Sequence, residues 1–203
     1  MNNMNNENIL GYVLLVFILL LIIKMYYDSD TFQLKCIVSS VDGNKYCVRE
    51  RKNMKRAANL LATTTENLNK VVQHLHKNYS NQENVTRLVN NFNPKKIKEI
   101  LPTSEYTAYS ENKGEKIAFC LNKENKEDVD NLIEINTLMF VALHELSHVA
   151  SKSIGHTDEF WDNFKFILIE AEKIGIYKPI DYKNKKTEYC GMTINDNPYY
   201  DHE

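Results

Sequence analysis

His144, Glu145 and His148 stand in the order H-E-x-x-H, and a third histidine, His156, follows directly after Gly155. On a helix, residues four apart rise from one face a turn apart, so His144 and His148 can offer imidazole nitrogens to one metal ion. Glu145, one step round the helix, can reach a water on that ion and take its proton. A tetrahedral catalytic zinc needs a further protein ligand and one open position. Gly155 terminates the helix, and the turn can carry His156 back toward the metal-binding face. Glu159, Glu170 and Glu172 compete for the third position, although each is also accounted for as a solvated helix residue. The chemistry expected is hydrolysis of peptide bonds: Zn2+ held by His144, His148 and His156, with Glu145 as general base.

These residues need a rigid platform. Asn136 is a candidate cap for a helix over Thr137 to Ser151, which contains no Gly or Pro. Phe140, Val141, Ala142, Leu143 and Leu146 surround the motif with apolar side chains, the pattern of a buried helix. Thr157 caps a second helix, whose face Phe160, Trp161, Phe164, Ile167, Leu168, Ala171 and Ile174 runs to Gly175. Upstream, EYTAYSENKGEKIAFCL reads as a hairpin about Asn112-Lys113-Gly114. Its second strand, Lys116 to Leu121, is expected at the open edge of a sheet, where an extended substrate could pair. Tyr182 and Tyr189 are candidates to steady an oxyanion, and Met192 is expected in the core, the alternative being a place beneath the metal site.

The remaining soluble part supplies scaffold. QLKCIVSSVDGNKYCVRE predicts a hairpin turning at Asp42-Gly43, and Met54 to Tyr79 a long amphipathic helix with Ala57, Leu61, Leu68, Val72, Leu75 and Tyr79 inward. His74 and His76, two apart, point in different directions and are expected at the surface. A short helix over Val85 to Phe92 is followed by another, opened by Asn93-Pro94 and closed by Pro102. LNKENKEDVDN is a charged loop.

Composition bounds the alternatives. With 203 residues, 43% of them hydrophobic, the chain can build one compact domain rather than two large ones. A net charge of −2 offers no footprint for nucleic acid, and the basic run Arg49, Arg51, Lys52, Lys55, Arg56 is expected to be solvated. The stretch 9–27 is different. It is apolar but for Gly11, Lys24 and the tyrosines, and it reaches the roughly 20 residues that span a bilayer. It lacks the basic n-region and small-residue cleavage site of a signal peptide, so it is expected to be an uncleaved transmembrane anchor. The expected organisation is therefore an N-terminal tail over 1–8, an anchor over 9–27 and a catalytic domain over 28–203. Lys24 and Lys35 favour a cytosolic domain by the positive-inside bias, while the sequons at Asn78 and Asn84 speak for the other side. Cys36, Cys47, Cys120 and Cys190 are compatible with two disulfides or with buried thiols.

At HELSH followed by GHTDEFW the sequence resembles zinc metallopeptidases of the WLM and SprT-like kind, with a third histidine after HExxH and then an aromatic residue on the next helix. From Tyr106 onward, including the Cys190-Gly191-Met192 segment, it also looks like uncharacterised viral metallopeptidase-like proteins of large DNA viruses. The resemblance implies an α+β zincin-like fold with the active-site helix beside a small antiparallel sheet, zinc on His144, His148 and His156, and Glu145 as base. His156 lies eight residues after His148, two more than the WLM spacing. The family's action on DNA-crosslinked proteins is not implied for a chain with an apolar anchor and no basic tail. The expected activity is that of a membrane-anchored endopeptidase on protein or peptide substrates, at a host or virion membrane. The alternatives are an anchored zinc-binding structural or interaction protein without turnover, and a hydrolase of a non-peptide amide.

Overall fold

Helix α1 (Asn6–Tyr27) contains a segment, Ile9–Tyr27, of mean hydropathy 2.6, none of it buried by the rest of the chain. By length and composition it can cross a membrane. The structure, a computed structural model, describes residues 6–27, 29–128 and 130–201. Residues 1–5 of the expected tail lie outside these.

After a short helix α2 (Asp30–Gln33), strands β1 (Leu34–Val38) and β2 (Lys45–Arg49) form the expected antiparallel hairpin. Cys36 opposes Cys47 in register, and the two are joined as a disulfide. Asn53 then caps α3 (Met54–Tyr79) by accepting from the Arg56 N–H. The helix buries Ala57, Leu61, Leu68, Val72 and Leu75, the stripe that its apolar spacing predicts. Helix α4 (Glu83–Asn91) follows.

The helix expected from Pro94 onward does not form. One 3-10 turn over Pro94–Lys96 passes into β3 (Ile97–Glu99), which pairs in parallel with β5 (Lys116–Phe119). Helix propensity separates such residues by at most about 0.7 kcal/mol each, whereas burying a large aliphatic side chain yields about 1.5–3 kcal/mol. Strand pairing buries both Ile97 and Ile100, so the tertiary term prevails.

Strand β4 (Ala108–Glu111) pairs antiparallel with β5, giving the order β3-β5-β4. The sheet is therefore mixed rather than antiparallel, and β5 is central; the edge beside the metal-binding motif is β4, which corrects the expectation for Lys116 to Leu121. Helix α5 (Ile135–Ala150) lies against this sheet, and α6 (Asp158–Lys173) packs on α5. Glu134, not Asn136, is the residue preceding α5. Asn136 instead exchanges hydrogen bonds with the backbone of Lys178, at 2.9 Å in each direction, tying the start of α5 to the segment after α6. The core lies where α3, α5, α6 and the sheet meet, around Leu61, Leu68, Leu143, Leu146, Phe119, Phe164 and Leu168.

A last antiparallel hairpin, β6 (Thr187–Tyr189) and β7 (Met192–Ile194), is joined to the end of β5 by a Cys120–Cys190 disulfide. All four cysteines are thus paired. The basic run is not uniformly solvated: Arg49 and Arg51 are buried, with Arg51 paired to Glu99 and the Arg49 N–H donating to the same carboxylate at 2.8 Å. This ion pair fastens the first hairpin to β3. His74 also departs from expectation, being half-buried against Glu170 at 2.8 Å, while His76 is exposed.

Candidate metal centre

Helix α5 presents His144 and His148 one turn apart, and the loop after it returns His156 to the same place. The ring centroids form a nearly equilateral triangle, with sides of 5.0, 4.9 and 4.9 Å. One ligand nitrogen from each residue lies within 4.8 Å of the others, and Nε2 of His144 and Nε2 of His156 are 3.0 Å apart. Zinc–nitrogen bonds of about 2.0–2.1 Å at a tetrahedral centre hold nitrogens roughly 3.3 Å from one another, so the three are close to ligand spacing. Aromatic rings fix them: Phe160 lies 4.3 Å from His148 and 4.8 Å from His144, centroid to centroid, and Trp161 lies 5.7 Å from His156.

The electrostatics suit a cation. Burial, reinforced by the neighbouring histidines, lowers His144 to about 3. Burial again, with His156 and Lys113 adding to it, lowers His148 to about 4. Both rings are held neutral with lone pairs available, the form that ligates metal. Glu145 is only 5% exposed, and burial pushes its carboxyl up to about 8. A dication beside it would reverse that penalty. The donor set, the spacing and the buried acid fit a zinc-type ion.

Two cavities meet at this point. One of about 900 Å³ runs along β4 and is bounded by Tyr109, Ser110, Lys113 and Ile154. The other, about 370 Å³, is walled by Phe140, Trp161, Phe164, Tyr189, Met192 and Ile194. His144, Glu145 and His156 line both. An open strand edge and an apolar recess therefore flank the same carboxyl.

The other sequence candidates are placed elsewhere. Glu159 spends both carboxylate oxygens on the backbone N–H groups of Lys152 and Ser153. Glu170 is buried among His74, Tyr79 and Lys173, and Glu172 is exposed. Tyr182 is fully buried and lines neither cavity. The Tyr189 hydroxyl donates to the carbonyls of Thr107 and Cys120 at 3.2 and 3.0 Å, which leaves it no proton for an oxyanion. Met192 is a half-exposed wall residue, not a core one, and its sulfur accepts from the Thr107 hydroxyl at 3.1 Å. Lys113 and Arg87, which hold the backbone around His156, were not singled out by the sequence: their partners are carbonyls 35 to 63 residues away, which no local spacing reveals.

No family model matches the chain. It is 28% identical over 198 residues to an uncharacterised protein of Acanthamoeba polyphaga mimivirus, covering 95% of this chain and 98% of that protein. Over 61 residues it is 39% identical to an uncharacterised protein of Invertebrate iridescent virus 6, covering 30% of this chain and 34% of that protein. Over 57 residues it is 46% identical to one of Invertebrate iridescent virus 3, covering 28% and 35% respectively. Among solved structures it is similar to Wss1 from Saccharomyces cerevisiae, with 20% identity and a TM-score of 0.46 over 61% of this chain and 83% of that one, a likeness too distant to assign a fold or an activity. What the chain is similar to, by sequence and over nearly its full length, is a viral protein.

Proposed function

We propose that the chain is a membrane-anchored, zinc-dependent endopeptidase acting on extended polypeptide. The observation that carries this reading is the convergence of three imidazoles beside a buried glutamate at the junction of two cavities. His144, His148 and His156 would hold the ion. Zinc, when bound, supplies Lewis acidity that polarises a carbonyl and makes a water easier to deprotonate.

The remaining steps belong to the chain. The exposed edge of β4 is suited to take up the backbone of an extended substrate as an added strand. That would lay the scissile bond across the junction where Glu145 sits, with one neighbouring side chain in the apolar recess between Trp161 and Met192. Large apolar side chains match that recess. Glu145 takes the proton of the attacking water on a carboxylate oxygen and returns it to the leaving amine. The aromatic floor of Phe140, Phe160 and Phe164 excludes bulk water from beneath the site.

The helix α1 would tether this domain to a bilayer. Paired cysteines at both ends of the domain favour an oxidising compartment over the cytosolic side suggested by the lysine bias.

Substituting Glu145→Gln separates catalysis from metal binding. The variant should keep one equivalent of zinc by elemental analysis while cleavage of unfolded protein substrates falls at least about 10²-fold. A wild-type chain that holds zinc yet cleaves none of a varied set of unfolded proteins would instead mark a zinc-binding scaffold without turnover.

A further inference from the structure

The third histidine stands on the least buttressed part of the centre. His156 is exposed, in a loop where Ile154 is 89% exposed and Gly155 takes a φ of +83°. Such a loop samples many arrangements unless something outside it intervenes. Three charged side chains do. Lys113, in the turn between β4 and β5, donates its ammonium to the carbonyls of His148 at 3.4 Å, Ser151 at 3.0 Å and Ser153. Glu159, in the first turn of α6, accepts the N–H groups of Lys152 at 2.8 Å and Ser153 at 2.9 Å. Arg87 of α4 donates to the Ala150 carbonyl and lies 3.7 Å from Glu159.

The last carbonyls of a helix have no intrahelical partner, and cations are favoured there. Lys113 and Arg87 meet that requirement at the end of α5 and extend it into the loop. We propose that Lys113 and Glu159 are positioning residues: clamping the backbone between Ser151 and Ser153, one by its carbonyls and the other by its N–H groups, they pre-order the path that brings His156 to the metal ion. This rests on the three-histidine reading of the centre. The clamp explains how the chain uses a long span between the second and third histidines, because the added backbone is hydrogen-bonded in place rather than left free. It also gives Glu159 a role other than ligand. Its carboxyl, held at about 2 chiefly by the two backbone N–H donors, keeps its charge under all ordinary conditions. Order present before the ion arrives appears as affinity, because less freedom is lost on binding.

The test uses the full chain in detergent and measures zinc affinity by competition with a chromophoric chelator, together with the visible absorption of the cobalt-substituted protein. Lys113→Met and Glu159→Gln should each weaken zinc binding about ten- to hundredfold, the usual effect of removing a group that orients a ligand. Lys113→Arg should recover most of the loss, and the cobalt spectra of the two weakened variants should shift toward that of His156→Ala. If Lys113→Met fails to fold, Glu159→Gln, nearly isosteric, decides the matter. Wild-type affinity and spectrum in both clamp variants, with a large loss in His156→Ala, would overturn the clamp and leave the centre standing. Wild-type affinity in His156→Ala would overturn the three-histidine centre and the clamp with it.

Discussion

Glu170 illustrates how a buried acid is made tolerable one partner at a time. Nε2 of His74 lies 2.8 Å from it, the Tyr79 hydroxyl donates at 2.9 Å and the Lys173 ammonium at 2.5 Å. Burial raises this carboxyl, but the bonds from Lys173, His74 and Tyr79 together outweigh it and hold the group below its ordinary 4.5. A folded-state pKa below the unfolded one gives stability that is present above the unfolded value and lost as pH falls through the folded one. Glu170→Gln should therefore melt at a lower temperature than wild type near neutrality, with the gap closing as pH drops below about 4.5. A gap in thermal denaturation that stays constant from neutral to strongly acid pH would show that the charge contributes nothing. The same reasoning separates Glu170 from Glu145: both are buried, but only the first is compensated by the chain's own donors.

Among the elements, the β4–β5 hairpin does more than supply an edge. Its turn, Asn112 and Lys113 at positive φ followed by Gly114 at φ +108°, is pressed against α5. A Cβ on Gly114 would lie 2.8 Å from a Val149 methyl carbon and 2.9 Å from the Asn91 carbonyl oxygen. Gly114→Ala should therefore cost about 1–3 kcal/mol through backbone strain alone, measurable by chemical denaturation. It should also weaken zinc binding, because the displaced turn carries Lys113. A variant as stable as wild type would mean that the turn can move away from α5 without cost. The edge assignment has a parallel consequence: under the proposed activity it is β4, not β5, that would receive an extended substrate.

At the scale of the whole molecule, two disulfides close loops of different length. Cys36–Cys47 spans 11 residues within one hairpin, and Cys120–Cys190 spans 70, joining the central strand to the C-terminal wall of the apolar recess. Restriction of the unfolded chain grows with loop length, predicting losses of about 3 kcal/mol for Cys36→Ser with Cys47→Ser and about 4 kcal/mol for Cys120→Ser with Cys190→Ser. Denaturant titration of the two double variants should show that order; a reversed order would mean that the long bridge strains the fold it closes. The sequence by itself determined what is local: the i, i+4 pairing of His144 and His148, the apolar stripe of α3, the turns at Asp42-Gly43 and Asn112-Lys113-Gly114, and the long apolar stretch near the N-terminus. Each of these depends on neighbours within a turn or two, where helix and strand periodicity act directly. Tertiary structure alone decided that Ile97 and Ile100 belong to a strand region, that Arg51 is buried on Glu99, which cysteines pair, and that Lys113 and Glu159 hold the loop to His156. Apart from the Cys36–Cys47 bridge and the Glu159 bonds, which reach 11 and 6 to 7 residues, those outcomes turn on partners tens of residues away, whose contributions from burial and hydrogen bonding exceed any local preference and leave no trace in local spacing.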